Sequence, residues 1–75
     1  MRRLTKRSLN LAGHATSVAL EPEFWATLEA MARGRGVTLA TLIAALDESR
    51  GDRPLASRLR VAALLWGQEN LGSAT

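Results

Sequence analysis

The chain has 75 residues, no cysteine, one histidine and a formal net charge of +3. Such a length permits one domain, and a domain of this size buries only about 60% of the surface that its unfolded chain exposes. The absence of cysteine excludes disulfides, and a single histidine leaves no common metal site, so we expect neither a metal nor another cofactor. The sequence therefore predicts that two copies of the chain share one core.

The positive charge is concentrated at the N-terminus. Four basic residues precede the first acidic residue, namely Arg2, Arg3, Lys6 and Arg7. The rest of the chain has a slightly negative net charge. Residues 1–13 are therefore predicted to form a basic arm that binds an anion, of which nucleic acid is the commonest. An anionic membrane surface and a merely solubilising terminus are the alternatives.

Nothing in the sequence predicts a membrane segment. The longest apolar stretch, residues 61–66, is about a third of the length that a bilayer span requires, and polar residues interrupt the N-terminus too early for a secretory segment. We expect a cytoplasmic protein without a membrane partner.

Residues 14–20 are the one good strand candidate. Their alternation places Thr16, Val18 and Leu20 on one face and three small residues on the other, namely Ala15, Ser17 and Ala19. Residues 8–11 also alternate, but no second strand of comparable length is predicted. Because a lone strand leaves its backbone groups unpaired, we expect it to pair with the same strand of a second copy.

Three helices follow the strand. Pro22 begins the first, over residues 22–33, and glycines at positions 34 and 36 end it. Thr38 is a good N-cap for the second helix, and residues 54–68 have the pattern of a third. The predicted organisation is a basic arm (1–13), a strand-helix-helix core (14–51), a C-terminal helix (52–70) and a frayed tail (71–75). The predicted dimer core contains Val18, Leu20, Trp25, Leu28, Leu42, Ile43 and Leu46, with Met31, Val37, Leu55 and Leu59 beside them.

The chain offers little for catalysis, so we do not expect an enzyme. His14 is the one side chain that titrates near neutral pH, and a lone histidine at a strand end is rarely a general base. Nucleic-acid binding suits the predicted architecture better, because a two-stranded ribbon fits the DNA major groove. The N-terminus of the second helix, at Thr38, Leu39 and Ala40, is a ready site for a backbone phosphate.

Two stretches resemble the ribbon-helix-helix superfamily of the MetJ/Arc type: TSVALEPEFW at residues 16–25 and GVTLATLI at residues 36–43. The Lys6-Arg7-Ser8 segment, the Gly13-His14 pair and the third helix are similar to a small bacterial subfamily, and the resemblance covers roughly residues 6–66.

The resemblance implies a mainly α-helical, intertwined homodimer with an intermolecular antiparallel ribbon and an added third helix. Such proteins usually bind operator DNA as transcriptional repressors or antitoxins, which would associate this one with a bacterial nucleoid. The implied base readers are Ala15, Ser17 and Ala19, and the implied phosphate contacts are Thr38, Leu39 and Ala40. His14 at the ribbon end is a further candidate reader, and the charge of the arm predicts phosphate contacts by Arg2, Arg3, Lys6 and Arg7.

An alternative function follows from what the ribbon lacks. Two of the three outward positions are alanines, which offer a base no more than a contact with the thymine methyl group. The third helix has a broad apolar surface that includes Leu64, Leu65 and Trp66. The chain is therefore alternatively a dimeric protein-interaction module, adaptor or antitoxin-like, that binds a protein partner and reads little DNA sequence.

Overall fold

The computed structural model describes residues 3–74. A two-stranded antiparallel sheet is followed by three helices: β1 (Thr5–Leu11), β2 (His14–Leu20), α1 (Pro22–Arg35), α2 (Leu39–Glu48) and α3 (Leu55–Ala74). This order agrees with the predicted strand and helices and adds one strand before them.

The added strand forms a hairpin with β2. The register runs from Thr5 opposite Leu20 to Leu11 opposite His14. Ala12 and Gly13 form the turn, with φ of 51° and 83°. Positive φ at both central residues is what a two-residue turn needs to match the right-handed twist of the strands.

The prediction of a single strand preceded by a basic arm is therefore wrong. Residues 5–11 of the supposed arm form β1, and the partner of β2 is this strand of the same chain. The sequence concealed the hairpin because Ala-Gly is a weaker turn signal than Asn-Gly. Consecutive Lys6 and Arg7 also hide an alternation in which Arg7, Leu9 and Leu11 share one face.

The first helix begins where it was predicted and ends two residues later. Pro22 occupies its first turn, and Gly36 ends it with a left-handed φ of 70°. The Val37 N–H then donates to the Ala32 carbonyl over 3.0 Å, a closing bond typical of helices that end in glycine.

The third helix differs more from the prediction. It begins at Leu55 and continues to Ala74, so it includes most of the residues that were predicted to be a frayed tail. Among the described residues, no helix is long and apolar enough to cross a membrane.

The core lies between the hairpin and the helices. The second helix packs against β1, while α3 packs against β2, α1 and α2. All seven residues of the predicted dimer core are buried within one chain: Val18, Leu20, Trp25, Leu28, Leu42, Ile43 and Leu46. Met31 and Leu59 are buried as well, whereas Val37 is 38% exposed and Leu55 is half-buried.

Contacts within one chain bury these residues. Leu11 of β1 and Leu59, Ala62 and Ala63 of α3 supply the apolar surface that a second chain was expected to provide. The hairpin and α3 thus close the core of a single chain.

Candidate nucleic-acid interface

The face of the hairpin that points away from the helices is a polar, exposed surface. Residues directly opposite each other in an antiparallel pair share a face, and Val18 and Leu20 mark the buried one. The other face therefore consists of three cross-strand pairs: Lys6 with Ala19, Ser8 with Ser17, and Asn10 with Ala15. We call these six residues the outer face; all are exposed except Ala19, which is half-buried.

The outer face combines one cation, one carboxamide and two hydroxyls between methyl groups. The Oγ atoms of Ser8 and Ser17 lie 3.4 Å apart at its centre. The predicted readers Ala15, Ser17 and Ala19 do lie together here, as their alternation indicated.

Aromatic and ionic contacts hold the hairpin on α1. The Trp25 indole Nε1 donates to the Thr5 carbonyl over 2.7 Å at the start of β1. The Arg7 guanidinium lies 4.8 Å from the centre of the Trp25 ring and donates to Glu29 Oε1 over 2.6 Å. The outer face is thus presented on a hairpin fixed to the helices at its open end.

Two of the predicted DNA-contacting residues lie on the inner side of the hairpin. Arg7 is engaged by Trp25 and Glu29, because the residue after Lys6 in a strand points to the opposite face. His14 is exposed, but its register opposite Leu11 places it on the opposite face from Ser17. The structure therefore separates both residues from the predicted readers.

Fewer cations of the predicted arm are available to contact DNA than the sequence suggested. Lys6 belongs to the outer face, and Arg3 is exposed just before β1. The predicted contact at Arg2 lies outside the described residues.

The N-terminus of α2 has the geometry of an anion site. The Thr38 Oγ1 accepts the Thr41 N–H over 3.1 Å and caps the helix as predicted. The N–H groups of Leu39 and Ala40 lie in the first turn, where a helix has no carbonyl to receive them. Thr38 and Ala40 are exposed and Leu39 is half-buried, so this helix end faces solvent.

An ion pair joins α3 to the junction between β2 and α1. Arg60 contacts the Glu21 carboxylate over 3.0 Å and lies 5.8 Å from the centre of the Phe24 ring. The pKa of Glu21 falls below its ordinary value of 4.5, because the residue's own backbone N–H donates to the carboxylate and Arg60 adds a hydrogen bond and its charge. This pair helps to orient α3 and contributes no residue to the outer face.

The sequence reading missed two polar side chains of the outer face, Ser8 and Asn10, and gave Lys6 a role in a basic arm. The alternation in residues 5–11 was the signal that pointed to them. Once β1 pairs with β2, these residues lie directly opposite the readers that the sequence did identify.

Comparisons with known proteins agree with this architecture. The ribbon-helix-helix domain family matches residues 4–66. The fold is similar to that of an uncharacterized protein from Bordetella pertussis Tohama I, with a TM-score of 0.78 and 33% sequence identity over 96% of this chain. The match spans 62% of that structure's chain. No curated protein matches the chain.

Ribbon-helix-helix domains are generally non-enzymatic modules that dimerise and bind DNA. The match covers most of the chain, including the hairpin and the capped second helix. The chain belongs to the ribbon-helix-helix domain family.

Proposed function

We propose that the protein is a homodimeric DNA-binding regulator of transcription in which the hairpin of each copy enters the major groove. The outer face is the observation that carries this proposal, because it gathers Lys6, Ser8, Asn10 and Ser17 on one exposed surface. B-DNA admits a two-stranded ribbon in its major groove, and one chain supplies such a ribbon. The hairpin takes the place of the intermolecular ribbon that the sequence predicted.

The side chains of the outer face suit the base edges of the groove. An asparagine carboxamide pairs in bidentate fashion with adenine N6 and N7, which gives Asn10 the strongest capacity for sequence readout. The Ser8 and Ser17 hydroxyls donate or accept, and the methyl groups of Ala15 and Ala19 suit thymine. Asn10 thus provides readout that the two alanines lack.

Phosphate contacts come from groups outside the centre of the outer face. The free N–H groups of Leu39 and Ala40, with the positive end of the α2 dipole, bind a phosphate oxygen beside Thr38. Arg2 and Arg3 precede β1 in the sequence and add two cations, and Lys6 lies within β1 on the outer face. Arg7 is not part of the proposed contact, because Glu29 and Trp25 already engage it.

Two copies bind two half-sites in this proposal. Each hairpin reads one half-site, and half-sites of a two-fold dimer are spaced by about one helical turn, roughly 34–36 Å, or a multiple of it. Family membership supports the dimer, because ribbon-helix-helix domains generally dimerise.

A selection of bound fragments from a random DNA library, followed by affinity measurement with the selected fragment, tests the proposal. We expect Asn10→Ala to weaken the binding free energy by about 1–3 kcal/mol, or roughly 5- to 150-fold in affinity, and to relax the preference for adenine at one position. Asn70→Ala is the matched control, because Asn70 is an exposed asparagine that belongs to α3 and not to the hairpin. Equal affinity of the two variants contradicts base reading by Asn10, and failure of the wild type to retain any fragment at low salt contradicts DNA binding.

A protein-interaction role with little base readout is the second candidate. It is supported by a groove of about 250 Å³ between α1 and α3, where Phe24 and the 57% exposed Leu64 present apolar surface. A selection that returns no enriched DNA sequence, together with a complex that Leu64→Glu disrupts, favours this role over the first.

A further inference from the structure

A second groove lies where α3 meets the C-terminal halves of α1 and α2. Its apolar lining includes Met31 of α1, Leu46 of α2, and Leu65 and Trp66 of α3. The volume is about 190 Å³, which is smaller than the roughly 300–1,000 Å³ of sites that hold drug-sized ligands. We call it the α3 groove, and its size suits a molecule about as large as one amino acid.

The apolar part of the α3 groove is open to solvent. Leu65 is 52% exposed and Trp66 is half-buried, whereas Met31 and Leu46 are buried. A methyl group at Gly34 would lie 3.9 Å from Trp66 Cζ2, so the indole ring packs against the end of α1. A ligand with an apolar side chain that covers Leu65 and Trp66 removes their surface from water, which favours binding.

Three charged side chains line the α3 groove, and two of them belong to its Trp66 end. Arg35 follows Gly34, the residue of α1 on which the indole packs. Glu69 lies three residues beyond Trp66, a spacing that makes the two neighbours on the surface of α3. Neither Arg35 nor Glu69 forms an ion pair with another described residue. This end of the groove thus offers one cation and one anion beside an aromatic ring.

The third charge, on Arg58, belongs to the other end of the α3 groove. Arg58 and Glu69 are separated by about 16 Å along α3. The Arg58 guanidinium donates to Ser49 Oγ over 3.2 Å, at the C-terminal cap of α2. Arg58 is therefore directed toward α2, and we assign it no contact with a ligand at the Trp66 end.

We infer that the α3 groove binds a free amino acid with a large apolar side chain. The carboxylate of the ligand pairs with Arg35, its ammonium group pairs with Glu69, and its side chain covers Leu65 and Trp66. The planar guanidinium of an arginine suits a carboxylate because it donates two parallel hydrogen bonds. Such an arrangement favours a zwitterion, because Glu69 repels a simple carboxylic acid and Arg35 repels a simple amine. The inference does not rest on DNA binding.

A nuclear magnetic resonance titration of the full chain with L-phenylalanine tests the inference. We expect the indole N–H signal of Trp66 to shift saturably, with a dissociation constant on the order of 1 mM, because the ligand is small and both charges are exposed. The Trp25 signal is the internal control and should not move, because that indole is buried and donates to the Thr5 carbonyl. A Trp66 signal that shows no saturable shift at concentrations about tenfold higher overturns the inference.

Three related compounds separate the contributions of the ligand's groups. Phenylpropanoate lacks the ammonium group of L-phenylalanine, phenethylamine lacks its carboxylate, and L-alanine lacks its large side chain. Each compound is expected to bind at least about threefold more weakly than L-phenylalanine, because it loses one of the three contacts. A compound of this set that binds as tightly as L-phenylalanine contradicts the recognition of an apolar zwitterion.

Two charge-neutralising variants assign the polar contacts to their residues. Glu69→Gln is expected to weaken L-phenylalanine about threefold without weakening phenylpropanoate, which has no ammonium group. Arg35→Gln is expected to weaken both of these ligands about threefold without weakening phenethylamine, which has no carboxylate. Glu48→Gln and Arg33→Gln are the matched controls, since both residues are exposed charges outside the groove lining, and they should leave all three affinities unchanged. A variant of Glu69 or Arg35 that changes the three affinities equally, or not at all, overturns the inference.

Discussion

Neighbouring residues of β1 have different roles, because successive side chains of a strand point to opposite faces. Lys6 points away from the helices, and Arg7 stacks on Trp25 and pairs with Glu29. We predict that Arg7→Ala lowers the free energy of unfolding by about 1 kcal/mol, because a cation–π contact and a partly exposed ion pair are lost together. DNA affinity should then be unchanged.

The matched variant Lys6→Ala should behave in the opposite way. Its stability stays close to that of the wild type, whereas a lost phosphate contact reduces the slope of log affinity against log salt by about 0.9 for each copy. Urea denaturation and fluorescence anisotropy at several salt concentrations measure both variants. The assignment of the two residues to separate faces is contradicted if Arg7→Ala weakens DNA binding and Lys6→Ala weakens folding.

The turn of the hairpin contains an alanine in an unfavourable backbone conformation. Ala12 adopts a φ of 51°, a left-handed conformation that costs an alanine roughly 1 kcal/mol and that asparagine accepts more readily. We predict that Ala12→Asn raises the free energy of unfolding by about 1 kcal/mol, whereas Gly13→Ala lowers it by about 1–2 kcal/mol because φ there is 83°. Thermal denaturation followed by circular dichroism measures both changes, and destabilisation by Ala12→Asn contradicts the turn geometry.

The elements that sequence could identify are those with strong local signals. Pro22 begins α1, Gly36 ends it, and Thr38 caps α2. Each of these residues suits a helix end, where backbone N–H or carbonyl groups have no partner within the helix. The first strand lacked such a signal, since its turn is Ala-Gly and its inner face includes Arg7. Half of the outer face was therefore predicted. The β2 positions followed from alternation, whereas Ser8 and Asn10 were found only from the pairing of β1 with β2 in the structure.

At the scale of the whole molecule, the third helix supplies apolar surface to the core that a second chain was expected to supply. Arguments from length led to a shared core, because 75 residues bury little surface. The structure instead places Leu59, Ala62 and Ala63 of α3 against the hairpin and the first two helices. No local sequence pattern specifies that docking, since the helix is apolar around most of its circumference.

A core closed within one chain predicts that the buried side of α3, and not its exposed side, sets the stability of the fold. Leu59→Ala should lower the free energy of unfolding by about 2–5 kcal/mol, because Leu59 is fully buried. Leu64→Ala replaces an exposed leucine of the same helix and is the matched control, for which we expect a change of less than about 0.5 kcal/mol. Urea denaturation measures both variants, and an equal loss of stability in the two would contradict this placement of α3.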